Sequence, residues 1–163
     1  MDTSFVSSLI SCEKTIKTPP RKVMSVDPRN DYTLRNDFTC AAEDGKTFEV
    51  FMRMNTRLPY LFSVGLRYRS EDGIFTICRY NGKHGHRNKV SNNNSFDDYH
   101  IHKIFDEQLS NGQDSSLDAE PTAQYATFEE ALYAFVHDCH IKDWEKHFPN
   151  LEEIISQVRI EGI

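Results

Sequence analysis

The chain has 163 residues, of which 38% are hydrophobic, and its 11 Phe and 7 Tyr residues add bulk for a core. This length and composition predict a single domain over residues 1–163 and argue against a mostly disordered chain. No apolar run approaches the roughly 20 residues of a membrane span, and an Asp follows Met1 where a secretory signal would be basic, so we expect a cytoplasmic protein without a membrane segment.

Charge is unevenly distributed along the chain. Residues 1–90 contain 15 Lys and Arg against 10 Asp and Glu, a net charge of +5, whereas residues 91–163 contain 4 against 15, a net charge of −11. A nucleic-acid binder usually has a high isoelectric point, so the value of about 5.6 argues against broad phosphate binding. The acidic half predicts a protein partner with a basic surface, and direct nucleic-acid binding is the less favoured interpretation.

The first predicted elements are a helix and a hairpin. Apolar residues at helical spacing before the Pro19-Pro20 pair predict an N-terminal helix within residues 1–20. The segment "NDFTCAAEDGKTFEVFMRM" predicts two strands on either side of the Asp44-Gly45 step, which is favourable turn chemistry.

Two more strands, "YLFSVGLRYRS" and "IFTICRYNG", flank a turn at Asp72-Gly73, so residues 36–105 predict an antiparallel meander. Arg67 and Arg69 alternate with the apolar residues of the first of these strands and share its opposite face. Such a row is most simply a solvated sheet face. It gains functional interest if it faces the histidines.

Residues 81–99 are polar, rich in Asn and without periodicity, which predicts a long loop. The segment "YHIHKIF" that follows alternates as a strand does, which places His100 and His102 on one face. Residues 107–126 predict a second irregular stretch, which is acidic.

Residues 127–163 are predicted to be helical. Thr127 and Glu130 form a capping box at the start of a helix whose apolar face ends at Cys139, and "NLEEIISQVRI" after Pro149 predicts a short amphipathic helix. The predicted fold class is therefore α+β, an antiparallel β-meander sheet with an N-terminal helix and C-terminal helices packed on it.

Four of the seven histidines form two H-x-H pairs, His84 with His86 and His100 with His102. Zinc takes three or four nitrogen or sulfur ligands, and imidazoles at i and i+2 can supply two from one element. The predicted zinc ligands are His86, His100 and His102, with His84, Cys139 or water in the fourth place. A zinc ion there would tie the ends of the long loop together.

Two other interpretations of these histidines stay open. They can be surface residues on an exposed turn and an exposed strand face. Alternatively, they can act as acid and base on a phosphodiester while Arg79 or Arg87 stabilises the anionic transition state. The chain has no G-x-S-x-G, P-loop, H-E-x-x-H or Rossmann motif, which argues against hydrolase, NTPase and dehydrogenase functions.

The same motifs carry a family resemblance. The run "FTICRYNGKHGHRN", then "YHIHK", then a helix ending "DCHI" resembles an uncharacterised family of small bacterial and prophage proteins with an H-R-N step followed by H-x-H. That family is similar in pattern to the TumE-type toxins of toxin–antitoxin systems. The resemblance covers about residues 46–141, and the matching positions are Arg79, His86, Arg87, Asn88, His100, His102 and Cys139. The chain departs from the pattern at His84, where relatives tend to have proline, and in its Asn-rich insert and acidic loop.

The resemblance implies a setting of conflict between phage, prophage and host. The favoured hypothesis is a non-enzymatic binding protein, stapled by zinc, that inhibits a host nucleic-acid-handling defence enzyme through an acidic surface, in the manner of an anti-CRISPR protein. Its candidate partner-binding residues are Asp114, Asp118, Glu120, Glu129 and Glu130.

The alternative hypothesis is a toxin-like endoribonuclease. In that case the catalytic candidates are His86, His100, His102, Arg79 and Arg87. We favour the binding protein, because long acidic loops would repel RNA that approaches the site.

Overall fold

The fold is given by a computed structural model, which describes residues 4–87, 95–112 and 120–161, without the side chains of 84–87, 95–98 and 158–161. The described elements, in chain order, are α1 (Phe5–Ser11), β1 (Lys14–Thr18), β2 (Ser25–Asp27), β3 (Asn30–Ala42), β4 (Thr47–Asn55), β5 (Phe62–Ser70), β6 (Gly73–Arg87), β7 (Ser95–Lys103), α2 (Asp106–Ser110), β8 (Glu120–Pro121), α3 (Phe128–Asp138), α4 (Trp144–His147) and α5 (Leu151–Glu161).

The strands form one antiparallel sheet with the order β1-β3-β4-β5-β6-β7-β8, and β2 pairs with β3 at the side. Strands β3 to β7 are therefore consecutive neighbours, which confirms the predicted meander. The turn glycines Gly45 (φ 94°) and Gly73 (φ 139°) adopt positive φ, a backbone conformation that residues with a Cβ rarely adopt.

The core lies between the sheet and α3, and we call the side of the sheet that faces α3 its inner face. Tyr80 of β6 makes an edge contact with Phe135 of α3 at 5.5 Å between ring centroids, and Phe62 of β5 contacts Phe128 at 5.9 Å. Because side chains alternate along a strand, the residues between these inward positions lie on the opposite side of the sheet, its outer face. The C-terminal helices lie on this side as predicted, with α3 packed directly on β5 and β6 and α5 packed against α3.

The N-terminal helix is shorter than predicted. It ends at Ser11, and Lys14–Thr18 forms β1, which pairs with β3. The first turn of α1 is capped from outside the helix, since both carboxylate oxygens of Asp106 accept backbone hydrogen bonds at 2.8 Å, one from Phe5 and one from Val6. The burial pattern of this segment fits a strand. Lys14 and Ile16 are buried while Lys17 is exposed, as expected when successive side chains point to opposite sides.

The prediction of a long loop over residues 81–99 is wrong for most of its length. Strand β6 continues to Arg87, β7 begins at Ser95, and His84 pairs with Asp98 in the ladder between them. Backbone hydrogen bonding, which any side chain permits, forms this hairpin in a segment without an apolar pattern. Residues 88–94 lie outside the described part.

The second predicted loop, residues 107–126, is also partly regular. Helix α2 (Asp106–Ser110) overlaps its start, and strand β8 (Glu120–Pro121) lies within it. Residues 113–119 lie outside the described part. The predicted helix start at Thr127 is confirmed, because the Thr127 hydroxyl accepts a hydrogen bond from the Glu130 amide at 3.1 Å. The carboxylate of Glu130 reaches back to the Ala126 amide and not to that of Thr127, so the capping box is only half formed. Within the described residues no helix is long and apolar enough to cross a membrane.

Candidate functional site

The register of β6 and β7 brings four predicted or neighbouring polar residues together. Arg79 lies directly opposite His102, and Asn81 lies directly opposite His100. Directly opposed residues share a face, so all four lie on the outer face. The rings of His100 and His102 are 5.1 Å apart between centroids. The prediction that His100 and His102 share one face of their strand is therefore confirmed, and their imidazoles lie side by side.

A polar network positions His100. The Ser63 hydroxyl donates to Oδ1 of Asn81 at 2.6 Å, and Nδ2 of Asn81 lies 3.3 Å from Nε2 of His100. The Tyr125 hydroxyl lies 2.8 Å from the carbonyl oxygen of Asn81 and 2.9 Å from that of His100. The network joins β5, β6 and β7 to the segment that precedes α3, and it fixes the backbone as well as the side chain of His100.

Both histidines are fully buried, with 0% of their surface exposed. The interpretation that they decorate an exposed strand face is therefore wrong. Burial also bears on the nuclease hypothesis, because a general acid or base must come within hydrogen-bonding distance of its substrate. In this conformation neither imidazole can be reached from solvent.

The backbone register places His84 closer than His86 to the buried pair His100 and His102. His84 pairs with Asp98, two residues from His100, whereas His86 pairs with Phe96, four residues from His100. Four residues of strand span about 13 Å. His84, the less favoured candidate in the sequence, is therefore nearer than His86 to the buried pair, although the side chains of both lie outside the described part.

Cys139 lies on the other side of the sheet from the histidines. Its thiol makes a side-chain hydrogen bond with Cys78, and burial raises the pKa of Cys139 well above its ordinary value. Cys78 precedes Arg79 on β6, so it points to the inner face while Arg79 and His102 share the outer face. The structure thus does not bring Cys139 to the histidines as a fourth metal ligand. Among the described side chains, no group of three or more His, Cys, Asp and Glu is placed to hold a metal ion.

The arginines of the predicted sheet face do lie on the same side as the histidines. Arg67 pairs with Glu49, and Arg79 pairs with Gly65, two positions along β5 from Arg67. Arg35 and Arg53 oppose each other on β3 and β4. We call the outer-face set Arg35, Arg53, Arg67, Arg69 and Arg79 the arginine face.

Among the described side chains, two carboxylates bond to these arginines. Asp37 accepts hydrogen bonds at 2.8 Å from both Arg35 and Arg53, and Glu49 accepts one at 3.1 Å from Arg69. Burial alone would raise the pKa of Asp37, but the hydrogen bonds from the two arginines outweigh it and lower that pKa below its ordinary value. Within the described part of the chain, Arg67 has no carboxylate partner, and its guanidinium lies over the Phe51 ring at 4.2 Å.

The predicted acidic partner-binding residues have different positions. Asp114 and Asp118 lie outside the described part, and Glu120 is exposed at β8. Glu129 and Glu130 are half-buried, and one carboxylate oxygen of Glu130 lies 3.3 Å from the Ala126 amide, where it caps α3. Glu130 is therefore engaged within the fold.

Sequence reasoning missed three exposed acids farther along, Glu145 in α4 and Glu152 and Glu153 in α5. The sequence did indicate an acidic segment there, since residues 128–161 contain eight Asp and Glu against three Lys and Arg. Helices α3, α4 and α5 therefore place a large part of the acidic half of the chain on one side of the sheet, and the arginines of the basic half lie on the other side. The helical side is acidic and the outer face of the sheet is basic.

Comparison with known proteins adds no relative from which a role could be transferred. The chain matches no protein-family profile, no curated protein and no solved structure.

Proposed function

We propose that the chain is a non-enzymatic binding protein that inhibits a nucleic-acid-handling defence enzyme, in the manner of an anti-CRISPR protein, through its acidic helical side. The observation that carries the proposal is the segregation of charge onto two sides of the sheet. Enzymes that handle nucleic acids expose basic surfaces to bind phosphates. An acidic surface on a stable scaffold can occupy such a surface and compete with the nucleic acid.

The buried histidines support a binding role over the toxin-like endoribonuclease. A nuclease of that kind needs an imidazole that can exchange a proton with the ribose 2′-hydroxyl. His100 and His102 are fully buried, and His100 is held by Asn81. Their position favours a structural role within the sheet.

Zinc bound at His100 and His102 remains part of the proposal. A zinc bond to Nε2 of His100 would replace the contact with Asn81, and His84 is the nearer third candidate by register. We expect metal analysis of the purified protein to find one zinc per chain, and a chelator to lower the melting temperature.

The matched variants for zinc use other histidines of the same chain. His100→Gln with His102→Gln is expected to lose the zinc and the chelator effect. His137→Gln with His147→Gln, which changes two histidines on the helical side, is expected to keep both. Zinc-free wild-type protein, or zinc retained in the first variant, would remove the metal from the proposal.

The inhibitor function can be tested with purified CRISPR nucleases and a labelled target DNA. We expect the chain to block cleavage by at least one of them, and the variant Glu145→Gln, Glu152→Gln, Glu153→Gln to need at least tenfold more protein for the same inhibition. The loss follows from three fewer charges facing a basic surface. Bio-layer interferometry at two salt concentrations measures the accompanying change in association rate.

The control variant removes an equal number of negative charges, three, from hairpin turns at the ends of strands in the sheet. Glu43, Glu71 and Asp72 are exposed there, and Glu43→Gln, Glu71→Gln, Asp72→Asn should inhibit within about twofold of wild type. Equal losses in both variants would show that overall charge, and not the helical side, is responsible. The toxin-like endoribonuclease is tested by incubating the purified protein with total RNA. Cleavage by the wild type that disappears in the His100→Ala, His102→Ala variant would contradict the proposed binding function.

A further inference from the structure

We infer that the arginine face is a second binding surface, which takes the phosphodiester backbone of a single-stranded nucleic acid. The arginine face lies on the side of the sheet opposite to the acidic helical side. Among the described side chains, the five arginines of this face lie with the carboxylates of Asp37 and Glu49.

Like charges that oppose each other on adjacent strands destabilise a sheet. Arg35 and Arg53 are directly opposed, and a single carboxylate, that of Asp37, accepts from both. The three groups together keep a charge of about +1. A polyanion on this surface would offset the remaining repulsion.

The arginines are also held in place before any ligand binds. Arg53 donates to Asp37 and to the carbonyl oxygen of Met52, each at 2.8 Å. Arg67 lies over the Phe51 ring, and Arg69 donates to Glu49. A guanidinium has five N–H donors, so these contacts leave donors for phosphate oxygens. Arginines positioned in advance lose less side-chain entropy when an anion binds.

The shape of the surface favours an extended ligand over a single phosphate. The arginines are distributed over β3, β4, β5 and β6, and three strand spacings measure about 14 Å. The Phe51 ring lies close to Gly65, where a Cβ would come within 2.1 Å of it, and Phe51 is only 6% exposed. Base stacking on Phe51 is therefore not the basis of binding, and phosphate contacts predict little sequence preference.

The probe is a fluorescein-labelled 12-nucleotide single strand, RNA in one arm and DNA in the other, followed by anisotropy. About three phosphate contacts predict binding that is roughly 20-fold weaker at 200 mM than at 50 mM salt. We expect Arg67→Gln with Arg69→Gln to weaken binding at least tenfold and to reduce this salt dependence. Arg67→Lys with Arg69→Lys keeps the charges and is expected to keep the salt dependence, so it separates loss of charge from loss of fold.

The matched control is Lys142→Gln with Lys146→Gln, which changes two exposed lysines of the helical side and the net charge by the same amount. It should bind within about twofold of wild type, because its charges are far from the proposed surface. The acidic triple variant that loses inhibition is also expected to bind the strand unchanged, so the two proposals can fail separately. No binding at 50 mM salt, equal losses in the two charge variants, or complete displacement by inorganic pyrophosphate would overturn the inference.

Discussion

Replacing Lys14 with methionine is expected to lower the free energy of unfolding by about 3–5 kcal/mol, because one buried and two partly buried carbonyl groups lose a charged donor. Lys14 is fully buried. Its ammonium group donates to the carbonyl oxygens of Ile10 and Cys139 at 2.8 Å and to that of Cys12 at 3.0 Å. Methionine fills a similar volume but cannot donate. Urea denaturation followed by circular dichroism measures the change.

The position of Lys14 explains why the effect should be large. Its backbone amide donates to His140 at 2.8 Å, and its carbonyl oxygen accepts from Lys142 at 3.0 Å. Backbone and side chain together therefore join the end of α1 to the segment after α3. Loss of the ammonium group weakens this junction as a whole.

The control for Lys14 is Lys17→Met on the same strand. Lys17 is exposed, and surface substitutions away from special features usually change stability by less than about 0.5 kcal/mol. If Lys14→Met were as stable as Lys17→Met, the three hydrogen bonds would contribute nothing measurable. The two variants carry the same change in charge and composition, so their difference reports the buried contacts.

Replacing Gly82 with alanine is the second change with a large expected effect, a loss of about 3–5 kcal/mol through strain on the backbone. A Cβ at Gly82 would lie 1.9 Å from the carbonyl oxygen of Tyr60 and 2.9 Å from the backbone nitrogen of Phe62. These are main-chain atoms, and the Lys83 amide donates to the same Tyr60 oxygen at 2.8 Å. The strands must therefore separate to accept the methyl group.

Gly65→Ala is the matched comparison. There the Cβ would meet the ring of Phe51 at 2.1 Å, which is a side chain that can rotate outward, so we expect a smaller loss of about 1–3 kcal/mol. The predicted order, with Gly82→Ala the less stable, is tested by thermal denaturation of both variants. The reverse order would mean that displacing the β6 backbone costs less free energy than moving the Phe51 ring.

The Gly82 variant should also disturb the site. Asn81 precedes Gly82 and holds His100 through its side chain, so displacement of this backbone shifts the Ser63–Asn81–His100 network. In a two-dimensional NMR spectrum the ring signals of His100 are expected to move in Gly82→Ala. They should move less in Gly65→Ala, because Gly65 pairs with Arg79 and lies one ladder pair farther from His100.

The candidate site was predictable where a regular pattern decided it. Period-two alternation placed His100 and His102 together, and it placed Arg67 and Arg69 on the side opposite the core. It could not show that the histidines are buried, because burial depends on what lies over the outer face. Nor could it separate Cys139 from them, since that separation follows from its contact with Cys78 across the inner face.

The sequence by itself determined the meander, the capped helix at Thr127 and the division of charge along the chain, because these depend on local periodicity, turn chemistry and composition. Only the tertiary structure decided that β6 and β7 extend through a polar segment, since backbone pairing leaves no apolar pattern in the sequence. It also decided that Lys14 is buried, because its partners Ile10 and Cys12 are nearby in sequence but Cys139 is 125 residues away. Long-range hydrogen bonds of this kind arise only when the chain has folded.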